Sequence, residues 1–146
     1  MQYGLTPLSA YRKTPRRLVL LPLLLTLPAV LWLVSMPLVW HHHDIPGEGY
    51  TVLHGYQVDS WLIVAALVSL GFALRFHRWG FGFAGKWLLA IFAVIVAIGL
   101  WADYIDNQIY AASVYAGSFY GPGFIVGALG AAVLVAALPV SWRTED

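Results

Sequence analysis

Residues 18–44 read LVLLPLLLTLPAVLWLVSMPLVWHHHD. The first 23 of them, 18–40, carry no charged side chain. A helix needs about 20 mostly apolar residues to cross a bilayer, so this run is long enough to be a membrane span. His41, His42, His43 and Asp44 are then either the polar edge of that span or part of a site. Where this boundary lies decides how the rest of the chain is read.

Composition points the same way. Of 146 residues, 60% are hydrophobic and 10% charged, where soluble domains are about a quarter charged. A chain this short buries only about 60–70% of its surface in an aqueous fold, so the apolar excess is expected to face lipid. A net charge of +1 gives no bulk attraction to nucleic acid. The absence of cysteine excludes disulfides, thiolate catalysis and Cys-ligated metal.

Three further segments qualify as spans: 59–75, with its apolar part at Ser60–Leu74, then 87–102 and 122–140. All four are expected to be helices, because lipid offers no partner for an open backbone and the runs lack the alternation of barrel strands. The basic residues Arg12, Lys13, Arg16, Arg17, Arg75, Arg78, Lys86 and Arg143 fall before the first span, between the second and third, or after the fourth. The remaining two loops hold Asp44, Glu48, Asp59, Asp103 and Asp106 instead. Lys/Arg bias marks the cytoplasmic side. The chain thus reads as an all-α protein of the plasma (inner) membrane with four transmembrane helices and both termini inside. Its parts are a basic N-terminal segment 1–17, spans 18–40, 59–75, 87–102 and 122–140, outer loops 41–58 and 103–121, a cytoplasmic loop 76–86 and a tail 141–146. The first run exceeds the 7–15 apolar residues or so of a signal peptide, and no A-x-A site precedes His41. Trp40, Trp61, Trp79, Trp87, Trp101 and Trp142 fall at the expected interfaces, as an aromatic belt requires, and Trp32 does not.

Within the spans, Pro22, Pro28 and Pro37 predict a kinked first helix. Gly123, Gly127 and Ala131 recur every four residues with Gly130 beside them, a spacing that lets helix backbones approach closely. That face is expected to pack inside the bundle or against another subunit. No Asp, Glu, Lys, Arg, His, Asn or Gln lies within 18–40 or 87–102. Pumps, carriers and channels mark their routes with buried ionisable groups, and intramembrane proteolysis needs a buried Ser/His or Asp pair, so these activities are not expected. Gly80, Gly82 and Gly85 in RFHRWGFGFAGK follow no strand and make no nucleotide-binding fingerprint. Their neighbours, His77 included, suit anionic headgroups.

The outer loops hold the candidate functional residues. His41, His42, His43, Asp44, Glu48 and His54 contain donors that suit a divalent metal. Consecutive histidines point in different directions, however, and His41 would meet Asp44 only if the helix ran on. Other readings of the cluster are a pH-responsive patch, an axial ligand to a haem or chlorin, or only a polar cap. In the second loop, Tyr104, Tyr110, Tyr115, Phe119 and Tyr120 form an aromatic belt or a partner-docking surface. Ile105, Ile109 and Ala112 share a helical face, so 103–116 is expected to prolong span three or to form a short interfacial helix before GSFYGPG turns the chain. Asp103 and Asp106 share a helical face near water, where solvation rather than catalysis is expected.

No motif singles out a family. The function that fits best is a small non-catalytic integral membrane subunit that packs against, stabilises or assembles a larger membrane protein complex or a homo-oligomer. It contacts membrane lipids, and neither nucleic acid nor a cofactor beyond bound lipid is expected. The alternatives are a metal- or ligand-binding membrane protein using the outer His/Asp/Glu cluster, and an oligomeric small-molecule exporter.

Overall fold

Proline decides where the first helix stops. The computed structural model describes residues 15–47, 49–114 and 117–143; at 15–18, 45, 50, 109–114 and 117–119 it describes the backbone alone. Helix α1 is Pro15–Ser35. Pro37 has no amide hydrogen, and its ring drives the preceding residue out of the α region. Residues 36–38 therefore turn, and Val39 opens a strand. The expected first span is corrected at this end: residues 36–40 are apolar but not helical. Pro22 and Pro28 stay inside α1. Close by, Thr26 Oγ1 donates to Pro22 O at 2.8 Å, and Ser69 Oγ, from a facing helix, donates to Leu25 O at 2.5 Å. Ser69 is fully buried, so Ser69→Ala should cost about 1 kcal/mol, measurable by circular dichroism of unfolding in detergent.

The carbonyls at the end of α1 recruit the chain that follows. Ser35 Oγ donates to Trp32 O at 2.7 Å, and Trp40 Nε1 donates to Ser35 O at 2.8 Å. A single turn, α2 (Gly55–Val58), brings Tyr56 N to Met36 O and Gly55 N to Leu38 O, each at 3.2 Å. To reach that position the chain makes a hairpin of β1 (Val39–Ile45) and β2 (Gly49–His54). Gly47 and Gly49, at φ 85° and 87°, permit the reversal. A third strand, β3 (Gly117–Tyr120), pairs with the other edge of β1, giving an antiparallel sheet of order β2-β1-β3. The all-α expectation is corrected here: the segments between spans supply a three-stranded sheet. His41 lies opposite Leu53 and Tyr120, and His43 opposite Thr51 and Ser118.

The remaining helices are α3 (Trp61–Trp79), α4 (Gly82–Val114) and α5 (Pro122–Arg143). The 33 residues of α4 make a rod of about 50 Å. The stretch 103–114 thus continues the helix of the expected third span and forms no separate interfacial helix. Among the described residues three helical segments are long and apolar enough to cross a membrane: Trp61–Trp79, Gly82–Gln108 and Pro122–Arg143. The apolar part of α1, Val19–Ser35, is shorter.

α1 packs against both α3 and α5. Its contact with α5 is made by tryptophan on glycine. A Cβ built on Gly127 would lie 2.8 Å from Trp40, and one on Gly130 would lie 2.5 Å from Trp32. Trp32 Nε1 donates to Gly127 O at 3.0 Å. Trp32 and Trp40 are fully buried, so Trp40 belongs to the core and not to an interfacial belt. Trp79, Trp87, Trp101 and Trp142 are exposed as a belt requires. Phe72 and Phe92 meet between α3 and α4 at 5.6 Å. The sheet caps one end of the bundle. Arg75, Arg78, Lys86 and Arg143 mark the other, beside the edge-to-face pair Trp87–Trp142 at 5.6 Å.

Candidate functional site

Strand alternation sorts the histidines. His41 and His43 point from β1 toward the helices and are 2% and 4% exposed, whereas His42 and Asp44 share the opposite, half-buried face. Because β1 is a strand, His41 and Asp44 stand on opposite sides of the sheet and the helical pairing between them does not arise. The rings of His41 and His43 stack at 5.9 Å. His41 also meets Tyr120 edge-on at 5.3 Å and lies 6.2 Å from Phe124.

Beneath this face stand two carboxylates from separate elements. Asp103 Oδ2, on α4, is 3.4 Å from His41 Nε2. Asp59 lies in the link between α2 and α3, is 4% exposed, and accepts a 2.7 Å hydrogen bond from Trp61 Nε1 through Oδ1. Asp59 Oδ2, Asp103 Oδ2 and both ring nitrogens of His41 are enclosed without a hydrogen-bond partner. Burial, then the charge of Asp103, pushes the Asp59 carboxyl up from 3.8 to about 6. The hydrogen bond from Trp61 and the nearness of His41 oppose that rise. His43 is held below the ordinary imidazole value, first by burial and then by His41 and His42. An open groove of about 710 Å³ runs past the pair, lined by Asp59, Gly99, Trp101, Asp103 and Asp106 among others.

The expected metal set does not assemble as one group. His41 and His43 face inward, and His42 and Asp44 face away. His54 is engaged elsewhere: its Nδ1 is 2.9 Å from Pro37 O and therefore carries a proton there, and its ring stacks on Tyr56 at 5.5 Å. Glu48 lies outside the described residues. Among the described residues no three His, Asp or Glu side chains are arranged to hold a metal ion.

Of the aromatic set, Tyr104 and Tyr120 stack on each other at 5.4 Å, and Tyr120 Oη donates to Tyr104 O at 3.1 Å. Tyr115 and the side chains of Tyr110 and Phe119 lie outside the described residues. Of the small-residue set, Gly123, Gly127 and Gly130 lie against Trp40 and Trp32 of the same chain, and Ala131 borders the core.

Sequence reasoning treated Asp103 as solvated and left Asp59 without a partner. The signal it passed over is the pattern after PGEG: Thr51 and Val52 are β-branched and follow a glycine turn, which announces a hairpin. A strand at 39–45 would have turned alternate histidines inward. Compared with known proteins, the chain matches no family model, no curated protein and no solved structure.

Proposed function

We propose that this chain is a four-span protein of the plasma (inner) membrane, with both termini cytoplasmic, acting as a small non-catalytic subunit. It packs against a larger membrane complex and stabilises or assembles it. The observation that carries this reading is the filled interior of the bundle. Among the described residues, Trp32, Leu25, Leu21, Ala66 and Leu89 occupy it, and the buried polar side chains away from the sheet are the hydroxyls of Ser35, Ser69 and Ser141, while His41, His43 and Asp59 are buried at the sheet end. A transport route needs polar groups along the length of the bundle, and the buried titratable groups among the described residues stay at the sheet end, which favours a role carried by the surface. At the sheet end that surface includes β2, an edge strand with Val52 43% exposed. Open edges recruit strands from other chains.

The apolar part of α1, Val19–Ser35, makes about 26 Å of helix, at the short end of the roughly 17–25 residues of a span, which supports α1 as the fourth span. The separation of Arg75, Arg78, Lys86 and Arg143 from the sheet supports the orientation. With no native cysteine, sidedness is directly measurable: an impermeant thiol reagent added outside intact cells should label His42→Cys and spare Arg78→Cys. A photo-crosslinker at Val52, followed by gentle extraction and mass spectrometry, should capture a second membrane protein. A lone, uncrosslinked monomer would remove the subunit reading, and equal labelling of both cysteines would remove the topology.

A further inference from the structure

We infer that Asp59 and Asp103 bind one proton between them, beside His41, and that this proton ties the outer sheet to the helices. The inference needs only that the sheet end meets water, and is independent of the subunit reading.

Three segments far apart in sequence converge here: β1 through His41, the link before α3 through Asp59, and α4 through Asp103. Asp59 Oδ2 and Asp103 Oδ2 are both enclosed and both lack a donor. Two ionised carboxylates can only accept, so neither can satisfy the other. A proton on one makes it a donor to its neighbour, and both oxygens are then paired. Like charges at one site favour such uptake.

The surroundings offer little else to neutralise the pair. From β1 come His41 and His43, from α4 come Asp103, Asp106 and Tyr104, and from β3 comes Tyr120. The nearest parts of α5, Gly123 and Phe124, are uncharged. The described lysines and arginines lie at the opposite end of the bundle. The two oxygens are closed to a water-sized sphere, so a proton fits where a hydrated ion does not. Proton exchange has a path, because the groove lined by Asp59, Asp103 and Asp106 opens outward.

The consequence has a definite sign. Asp59 titrates higher in the folded protein, at about 6, than its ordinary 3.8. Protonation therefore favours the folded junction fully below about 4, and that contribution is lost as pH rises through about 6. Acidification tightens the seat of β1 on α4, and alkaline conditions leave two facing charges beneath it.

Infrared difference spectra of the intact protein in lipid nanodiscs, titrated from acid to mildly alkaline pH, test this. Wild type should show a buried carboxylic C=O band with a midpoint near 6. The band should vanish in Asp59→Asn and move to lower pH in Asp103→Asn, which removes the second cause of the rise and leaves burial in place. The amide introduced by Asp59→Asn mimics the protonated state, since its Nδ2 can donate to Asp103 while its Oδ1 still accepts from Trp61. The thermal midpoint of Asp59→Asn should accordingly lose the fall with rising pH that Asp59 contributes, leaving the opposite trend of His43, which is held below its ordinary value. Trp61→Phe removes a hydrogen bond that favours the ionised form, so it should move the band's midpoint upward, and it serves if an Asn variant does not fold. The inference fails if no such band appears, if the band survives in Asp59→Asn or keeps its midpoint in Asp103→Asn, if Trp61→Phe leaves the midpoint unmoved, or if zinc chloride abolishes the band and so makes this a metal site.

Discussion

Gly127→Leu should destabilise the bundle by about 3 kcal/mol or more, the upper end of overpacking costs. The first side-chain carbon alone would stand 2.8 and 2.9 Å from two carbons of the Trp40 ring. That ring cannot retreat freely. Its Nε1 is bonded to Ser35 O, its edge meets Phe124 at 5.7 Å, and Gly55 and Gly123 close its other sides. The hydrogen bond from Trp32 Nε1 to Gly127 O stretches if α5 moves away. Both escape routes therefore lose a buried contact. Gly71 supplies the control: nothing lies within 4 Å of a Cβ built there. Gly71→Ala should be neutral or stabilise by about 0.5–1 kcal/mol, through helix propensity. Unfolding in detergent, followed by circular dichroism, compares the two. Equal behaviour would mean that tryptophan-on-glycine packing does not hold α1 to α5.

Trp40→Ala should cost about 3–5 kcal/mol, the range for truncating a large buried aromatic. Three losses coincide: a fully buried side chain, the indole donor to Ser35 O, and the filler between Gly55, Gly123 and Gly127. Trp40→Phe keeps most of the volume and forfeits the donor, so it should cost about 1–2 kcal/mol. Trp40 is also a residue of β1, and its loss should free the sheet end before the bundle melts. Limited proteolysis should accordingly cut the link between β1 and β2 of the Ala variant faster than that of wild type. Trp79, 75% exposed at the opposite end, provides the contrast, and Trp79→Ala should move neither readout appreciably.

The contrast between Trp40 and Trp79 shows how much of the architecture was legible. Both sit at the end of an apolar run, and a belt assignment treats them alike. One is core because Pro37 breaks α1 three residues earlier and turns the chain back over the helix end. Pro37 was visible in the sequence as a kink. That it ends the helix and starts a strand depends on Gly55, Tyr56 and His54 arriving to take the carbonyls of Leu38, Met36 and Pro37. The glycine face of α5 was legible as a packing face from its four-residue recurrence. Its occupants were not, since spacing states that something comes close and says nothing of what.

The candidate site was the least legible part. His41, His42 and His43 drew attention as a set, but the fold divides them by strand alternation. The partner of His41 proves to be Asp103, a carboxylate that had been left to solvent, with Asp59 beside it. Tyr104 and Tyr120, read as belt or docking residues, spend much of their surface on each other.

What the sequence determined alone is the apolar helices of the bundle and the gathering of cationic side chains away from the acidic loops. Hydropathy and charge are properties of each residue summed over a local window, so order along the chain suffices to read them. The tertiary structure decided the pairing of β1 with β3, the inward turn of Trp40, and the meeting of His41 with Asp103 and Asp59. Each of these depends on which distant backbone satisfies a given carbonyl or amide, and on which pairs of groups are enclosed together away from water. Those are properties of pairs rather than of single residues.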